Sequence, residues 1–584
     1  MPSAERKSPS QNTVEGGHES RLTGRLPIAA VAAVCLVLFT LLLPFLEPGY
    51  RNGHDMSAHV TYTYLFDEAI RQGQFPVRWI EGPASGYSQP LFNFYQVGLY
   101  YLVEVVHVVV PRLSLSLTLT VGLLWWTGAG FMFLWLKRFG SLPAALGALM
   151  FALSPYLVQD IFVRAAYPEF AAICFAPGVM WSVDRLMTTG RPVFLPISAS
   201  LLGLMIICHL PAALIVSPLL VANVLFLCVT NQAKWASVRK VAVAGVWALG
   251  LSAFYVLPAL VELKYVNVRA LNTGDADYHN HFVMAKQLDG LGLGRPDQLS
   301  FQLGVSQWIV VGLGSLFILW ALAQRRRLPP REFGILVWLG AIGLALFMTN
   351  ASSLRIWETL RFLSFIQFPW RFFLLISIAA AALGAFLLAS IHDARVQAVI
   401  LLVAIGLHLP LYINYQRPER LFPRDGLNID DPAWRQTDQA RRLAFYQMGY
   451  DPAGITQKPP VQIERSTIAE GSGTVRTIHE RDDALTVEAQ TGAGMRLSIN
   501  SHYFPGWDIR RDGRDVTPAV MPGYGFILVD VPAGLHRIDA RFGNTPVRTY
   551  ANTMTLISAA WLVLSSAARL RSWPRRRARR AFSA

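Results

Sequence analysis

The chain reads as a polytopic α-helical membrane protein, with about twelve transmembrane helices and an extracytoplasmic β-sandwich near its C-terminus. Three observations carry that reading. Mean hydropathy is +0.36, with 53% hydrophobic and 15% charged residues, too apolar for a soluble chain of 584 residues. Apolar runs of about 17–22 residues recur, the length that crosses a hydrocarbon core of roughly 30 Å. Between residues 414 and 548 the pattern changes to short mixed stretches broken by glycine turns.

The elements follow in order. Residues 1–25 are polar and read as a disordered cytoplasmic N-terminus. The run from Leu26 to Leu46 is too long for a secretory signal and lacks its small-residue cleavage site, so it reads as a retained anchor. It opens a membrane domain over 26–413. Spans are expected near 26–46, 116–136, 141–157, 168–184, 192–209, 211–229, 239–259, 304–323, 333–349, 371–391 and 396–413, with a last one at 549–568. The tail 569–584 carries Arg569, Arg571, Arg575, Arg576, Arg577, Arg579 and Arg580 without an acid.

Basic residues set sidedness. With the N-terminus inside, Lys137-Arg138, Arg185 to Arg191, Lys234 to Lys240, Arg325 to Arg331, Arg395 and the arginine tail all face the cytoplasm. That agreement requires residues 90–110 to lie in the interface, as their Asn93, Tyr95, Gln96, Tyr100, Tyr101, Glu104 and His107 suggest. The expected location is the bacterial cytoplasmic (inner) membrane, with both termini cytoplasmic. Loops 47–115, 158–167, 260–303 and 350–370 then lie outside with the segment 414–548. In that segment Val475–Ile478, Leu485–Ala489, Met495–Ile499, Phe526–Val531 and Leu535–Phe542 predict strands, and Asp512-Gly513, Pro522-Gly523 and Ala533-Gly534 predict turns.

The formal charge of +15 does not indicate nucleic acid, because the tail arginines beside a span mark a cytoplasmic end facing anionic lipid. Cys35, Cys174, Cys208 and Cys228 all lie in apolar segments, so no disulfide framework or cysteine metal site is expected.

Polar groups at span ends are costly and ask for a reason. Asp55 follows Asn52-Gly53-His54 and precedes a helix-like run from Met56 to Arg71, so it reads equally as an N-cap and as a catalytic acid. Arg164 and Glu169 flank a proline turn, as an ion pair or as site residues. His209 closes a span, as a capping or bundle-filling histidine or as a site residue. Tyr255 with Pro258, Glu262 and Lys264 stand at another outer end. His279 and His281 lack a third metal ligand nearby, a weak signal. Gln367-Phe368-Pro369-Trp370-Arg371 opens a span, as interfacial anchors or as site residues. Under the sidedness set by loop charge, all of these face one compartment.

A cavity with a carboxylate, arginines and aromatic rings at the outer leaflet suits a lipid-linked anionic donor. A guanidinium fork neutralises a phosphate as it leaves, and a carboxylate takes the proton of an incoming hydroxyl. Nucleotide sugars do not reach that face, and no glycine-rich phosphate loop occurs.

The order of these features resembles the GT-C class of membrane glycosyltransferases. More closely, the chain is similar to bacterial membrane proteins labelled "6-pyruvoyl-tetrahydropterin synthase-related", although nothing in it suggests pterin chemistry. The shared features are His54-Asp55, Phe92-Asn93-Phe94-Tyr95, Ser154-Pro155-Tyr156, Arg164-Ala165-Ala166 with Glu169, His209-Leu210-Pro211, Phe254-Tyr255 with Pro258, His281-Phe282 and Gln367-Phe368-Pro369-Trp370-Arg371. Tyr503-Phe504-Pro505-Gly506-Trp507 and Asp512-Gly513 resemble the sandwich of related large membrane proteins. The resemblance implies an inverting direct displacement from a polyprenyl-phosphate sugar donor to a glycan, lipid or protein acceptor. Asp55, with His54 beside it, would be catalytic, and Arg164 or Arg371 would contact the donor phosphate. Glu169, His209, Tyr255, His281, Gln367 and Trp370 would line the cavity. Many members of the class carry paired acids where His54 precedes Asp55, so a divalent metal and the identity of the base stay open. A flippase for lipid-linked glycans and a non-catalytic envelope scaffold are the competing readings.

Overall fold

The computed structural model describes residues 15–46, 53–81, 88–230, 232–267, 273–288, 299–326, 329, 332–416, 429–431, 450–457 and 464–581. Asn52, Arg327 and much of 414–463 lie outside the described residues. The helices are α1 (Glu15–Thr40), α2 (Met56–Arg71), α3 (Leu91–Phe94), α4 (Gly98–His107), α5 (Leu113–Leu136), α6 (Ser141–Ala152), α7 (Pro155–Phe162) and α8 (Tyr167–Thr189). They continue with α9 (Phe194–Cys208), α10 (Leu210–Val229), α11 (Val238–Val261), α12 (Val305–Ala323), α13 (Phe333–Thr349), α14 (Leu354–Thr359), α15 (Phe373–Ala389), α16 (Ala394–Gln416) and α17 (Pro546–Ala581).

Among the described residues 7 helices are long and apolar enough to cross a membrane, or 9 if each of two bent pairs is one span. About twelve were expected, and the difference has local causes. The stretch at 192–209 yields an apolar helix, α9, of only 15 residues, while those at 396–413 and 549–568 lie within α16 and α17. The stretch at 141–157 is bent by 42° between α6 and α7, where Pro155 forbids a continuous helix, and α13 turns by 86° into the short α14. Helix α1 begins at Glu15, so residues 15–25 are helical where disorder was expected, and α17 runs on to Ala581 through the expected tail. Once an apolar span has nucleated a helix, each added residue costs little, and the helix propagates past the span.

Residues 90–110 split into α3 and α4, separated by extended Tyr95. Ten residues of α4 rise about 15 Å, half a hydrocarbon core. Gly98 lets α4 touch the end of α9, since a Cβ there would stand 2.6 Å from the Cys208 nitrogen.

The two ends of the bundle differ in chemistry. At one, Arg138 and Asn223 bind the Asp184 carboxylate, Trp135 donates to it at 2.9 Å, and Lys240 reaches the Gly190 carbonyl at 3.5 Å. The ends of α5 and α8 and the start of α11, all bearing basic loops, therefore meet. The other end carries α2, α3, α4 and the β region.

That region has strands β1 (Ser466–Gly471), β2 (Thr474–Arg481), β3 (Ala484–Thr491), β4 (Met495–His502), β5 (Trp507–Arg511), β6 (Arg514–Asp515), β7 (Ala519–Val520), β8 (Phe526–Val531) and β9 (Gly534–Phe542). They form two antiparallel sheets, ordered β1-β4-β8-β7 and β2-β3-β9-β5-β6. Leu485, Val487, Leu497, Ile499, Ile527, Val529 and Ile538 alternate into the shared core. Asp512 and Gly513, at φ 51° and 78°, make the tight turn between β5 and β6. Trp79, ahead of α3, inserts into this core, its ring 4.7 Å from Phe542 and 5.4 Å from Trp507. Arg465 pairs with Glu81 at 3.4 Å, and the His502 amide donates to Ser88 at 2.9 Å. The β region is thus bolted to the segment that follows α2.

Candidate functional site

The site is assembled where the segment before α2 meets the turn between α7 and α8. The His54 amide donates to Val163 O at 3.0 Å and the Asp55 amide to Arg164 O at 2.9 Å. Gly53 permits this approach, because a Cβ there would stand 2.8 Å from that of Ala165. Asp55 occupies the N-cap position of α2, yet its side chain accepts no cap bond. The carboxylate is exposed and without a hydrogen-bond or ion-pair partner among the described residues, and the His54 side chain is exposed beside it. The cap interpretation of Asp55 therefore describes its backbone and leaves its oxygens free.

Beneath it lies a buried charge cluster. Arg164 binds Asp160, donates to Glu169 Oε2 at 3.0 Å and reaches the Tyr156 hydroxyl at 3.2 Å. Glu169 Oε2 also accepts from Arg371 Nε at 2.9 Å, while Oε1 accepts from the Tyr156 hydroxyl. Two cations and two anions cancel, which is what burial demands. The two arginines differ in spare capacity. Arg164 is consumed by its two acids. Arg371 gives Nη1 to the Ile366 carbonyl at 2.6 Å and, at 3.4 Å, to Gln367, but Nη2 has no partner among the described residues. Ala165 (φ 53°) and Gln367 (φ 63°) flank these arginines in left-handed backbone, strain that a well-braced site sustains at about 1–3 kcal/mol each.

The other expected residues take distinct places. His209 caps α10, its Nδ1 accepting from the Ala212 amide at 3.1 Å. The Tyr255 hydroxyl donates to the Phe94 carbonyl at 3.1 Å, so it holds the α3 segment from behind and is itself buried. His281 packs edge-on against Trp370 (4.7 Å), which stacks on Phe368 (4.6 Å). The structure thus brings Asp55, Arg164, Glu169 and Arg371 into one cluster, while Tyr255 supports it through the backbone.

An aromatic group went unforeseen. His59, Tyr62 and Phe66 follow Asp55 at intervals of four, three and four, one face of α2. His59 is bonded to the Tyr100 hydroxyl at 2.9 Å and stacks on Tyr167 at 5.5 Å. Burial pulls His59 down to about 4 against the opposing charge of Asp55, so its imidazole is neutral. Burial also raises Tyr62 and Tyr95, with neighbouring phenols and Asp55 adding to the effect, so both remain un-ionised. The i, i+4, i+7 spacing was the available signal. Among the described residues no group of three or more His, Cys, Asp or Glu is placed to hold a metal ion.

Comparison with known proteins places the chain. In fold it is similar to the arabinofuranosyltransferase AftD from Mycobacteria, at 15% identity and TM-score 0.40 over 67% of this chain and 27% of that one. It is also similar to the Archaeoglobus fulgidus oligosaccharyltransferase (13%, TM-score 0.40, 72% of this chain, 60% of that one). A further similarity is to ArnT from Cupriavidus metallidurans, solved with undecaprenyl phosphate (14%, TM-score 0.39, 72% and 74%). The chain spans about a quarter of the first of these and three fifths of the second. No curated protein matches it in sequence. The family profile for membrane proteins with a 6-pyruvoyl-tetrahydropterin synthase related domain matches residues 92–415, which include the Phe92–Tyr95, Arg164–Glu169 and Gln367–Arg371 motifs. With more than half of its length so matched, this multi-pass membrane protein belongs to the 6-pyruvoyl-tetrahydropterin synthase related family.

Proposed function

We propose that the protein is a glycosyltransferase of the GT-C type, moving a sugar from a polyprenyl-phosphate donor to a glycan, lipid or protein acceptor on the outer face of the cytoplasmic membrane. One observation carries the reading: an unpartnered carboxylate, Asp55, hydrogen-bonded through its backbone to the loop of a buried cluster in which Arg371 retains a free guanidinium nitrogen.

In the proposed step the acceptor hydroxyl attacks the anomeric carbon while the carbon–oxygen bond to the phosphate breaks. The hydroxyl proton passes to Asp55, and the polyprenyl phosphate departs with the bonding electrons and inverts the centre. Arg371 Nη2 takes a phosphate oxygen as its charge develops. Glu169 aims the Arg371 fork, and Arg164 offsets the Glu169 charge, so Arg164 is a positioning residue. His54 stands exposed beside Asp55 and is open to the acceptor. His209, His281, Gln367 and Trp370 wall the Arg371 side. Any divalent cation would have Asp55 and His54 as its nearest free donors, a sparse pair for an ion that prefers six oxygens.

The test is a mass-spectrometric comparison of envelope glycans with and without this gene. Loss of one sugar is the expected result. Loss of all surface polymer would replace the transferase with a flippase, and unchanged glycans would leave only the scaffold.

A further inference from the structure

Tyr95 closes the Phe92–Tyr95 motif at the point where α3 ends, with extended backbone at φ −80° and ψ 149°. It is half-buried, while Tyr62, Tyr100 and Tyr255 around the same site are buried. Its ring is fixed from several sides. Tyr62 meets it edge-to-face at 5.1 Å, and Tyr450, from beyond the membrane domain, meets it at 6.4 Å and 77°. His59 and Tyr100 pack at 6.5 Å and 6.4 Å. Tyr100 is in turn bonded to His59 at 2.9 Å. The ring therefore has one defined orientation and an uncovered surface.

The neighbours locate that surface. His59, which packs on Tyr95, lies one turn after Asp55 on α2 and stacks on Tyr167, two residues before the Glu169 that holds Arg371. Below the ring, the hydroxyl of Tyr62, 2% exposed, has no hydrogen-bond partner among the described residues. A buried phenol left unpaired is unfavourable by roughly 1–3 kcal/mol and is relieved when a ligand hydroxyl or a water bonds to it.

We infer that Tyr95 is the platform against which the sugar of the lipid donor is laid, making it a specificity-determining residue of the site. The inference rests on the transferase reading above. A sugar whose anomeric carbon reacts between Asp55 and Arg371 must occupy the space between them. Tyr95 packs on the helix that starts at Asp55, next to the His59–Tyr167 stack that adjoins the Arg371-binding loop. An aromatic face covers the apolar C–H face of a pyranose or furanose ring, while the phenol edge and the Tyr62 hydroxyl hydrogen-bond its hydroxyls. Apart from Arg371, the surroundings offer carboxylate, phenol and neutral imidazole, so the class of sugar is neutral rather than acidic.

The experiment uses the full chain in lipid nanodiscs and compares affinity for undecaprenyl phosphate carrying a neutral pentose or hexose with that for undecaprenyl phosphate alone. The wild type should prefer one glycosylated lipid at least tenfold. Tyr95→Ala should erase that preference while bare-lipid affinity stays within twofold, and Tyr95→Phe should keep it within threefold. If Tyr95→Ala fails to fold, Tyr95→Leu fills the space without an aromatic face and is read by the same ratio. A preference retained in Tyr95→Ala or Tyr95→Leu, an equal loss for both lipids, or no preference in the wild type overturns the inference. The transferase reading fails separately: a preference abolished by Tyr95→Ala, in a protein that never turns the donor over, spares the platform and removes the reaction.

Discussion

At the scale of single residues, the site sorts its two arginines by what each has left to give. Arg164 spends its fork on Asp160 and Glu169, all three buried, whereas Arg371 keeps Nη2 free. Opening a buried ion pair strands a charge and costs about 3–5 kcal/mol. Arg164→Gln should therefore lower the melting temperature markedly. Arg371→Lys should leave folding nearly intact but weaken undecaprenyl phosphate binding about tenfold, because an ammonium cannot serve Glu169 and a phosphate with a planar fork. Thermal unfolding and lipid titration of the two variants separate the roles, and equal effects on both readouts would cancel the distinction. Arg164, Glu169, Arg371 and Asp55 were legible in sequence because charged residues at span ends are conspicuous. Asp160 was not, since it looks like an ordinary residue of an apolar turn until Arg164 is seen to reach it, and Tyr156 was visible only as part of a motif. Tyr95 was visible as part of a motif, but nothing in its spacing placed it against His59 and Tyr62 of α2.

At the scale of elements, α2 is a lever held at both ends. Its N-terminus is tied by backbone to the α7–α8 turn. Near its C-terminus Asp67 pairs with Arg71 at 2.7 Å, and Arg71 reaches His107 of α4 at 3.1 Å. Glu104, one turn before His107, has an unpartnered buried oxygen and is pushed up to about 7, from 4.5, by burial and then by Asp67, with Arg71 opposing. A carboxyl whose folded value is raised stabilises the fold fully below its ordinary value and loses that contribution as pH rises through the folded one. The α2–α4 clamp should thus be firmest below pH 4.5 and weaken up to about pH 7. Glu104→Gln should flatten that part of the melting-temperature profile, and an unchanged slope would exclude Glu104 as its source. The β region is joined to the segment between α2 and α3 through Trp79, buried in a core that also takes Phe94 and Val266. Trp79→Ala should cost about 3–5 kcal/mol and expose residues 464–542 to protease; cleavage no faster than in wild type would show the bolt to be dispensable. Five strands were readable from alternation and turn residues. Strands β1, β5, β6 and β7 escaped because strands that are short or largely exposed carry little apolar signal. Two runs were read as unbroken spans because apolar composition alone does not reveal that Pro155 bends one or that α9 is short.

At the scale of the molecule, the bundle separates a basic end from an end that holds the candidate site and the β region, an asymmetry that predicts the basic end inward. In a Cys35→Ser background, a cysteine at Asn280 should react with an impermeant maleimide added outside cells, and one at Arg191 should not; the reverse pattern would turn the site toward the cytoplasm. The account nevertheless stands most directly on Asp55. Turnover of a polyprenyl-phosphate sugar by the purified protein should fall about 10²–10⁴-fold in Asp55→Asn, the range of a lost general base, with undecaprenyl phosphate binding unchanged. Wild-type turnover in that variant would contradict the account.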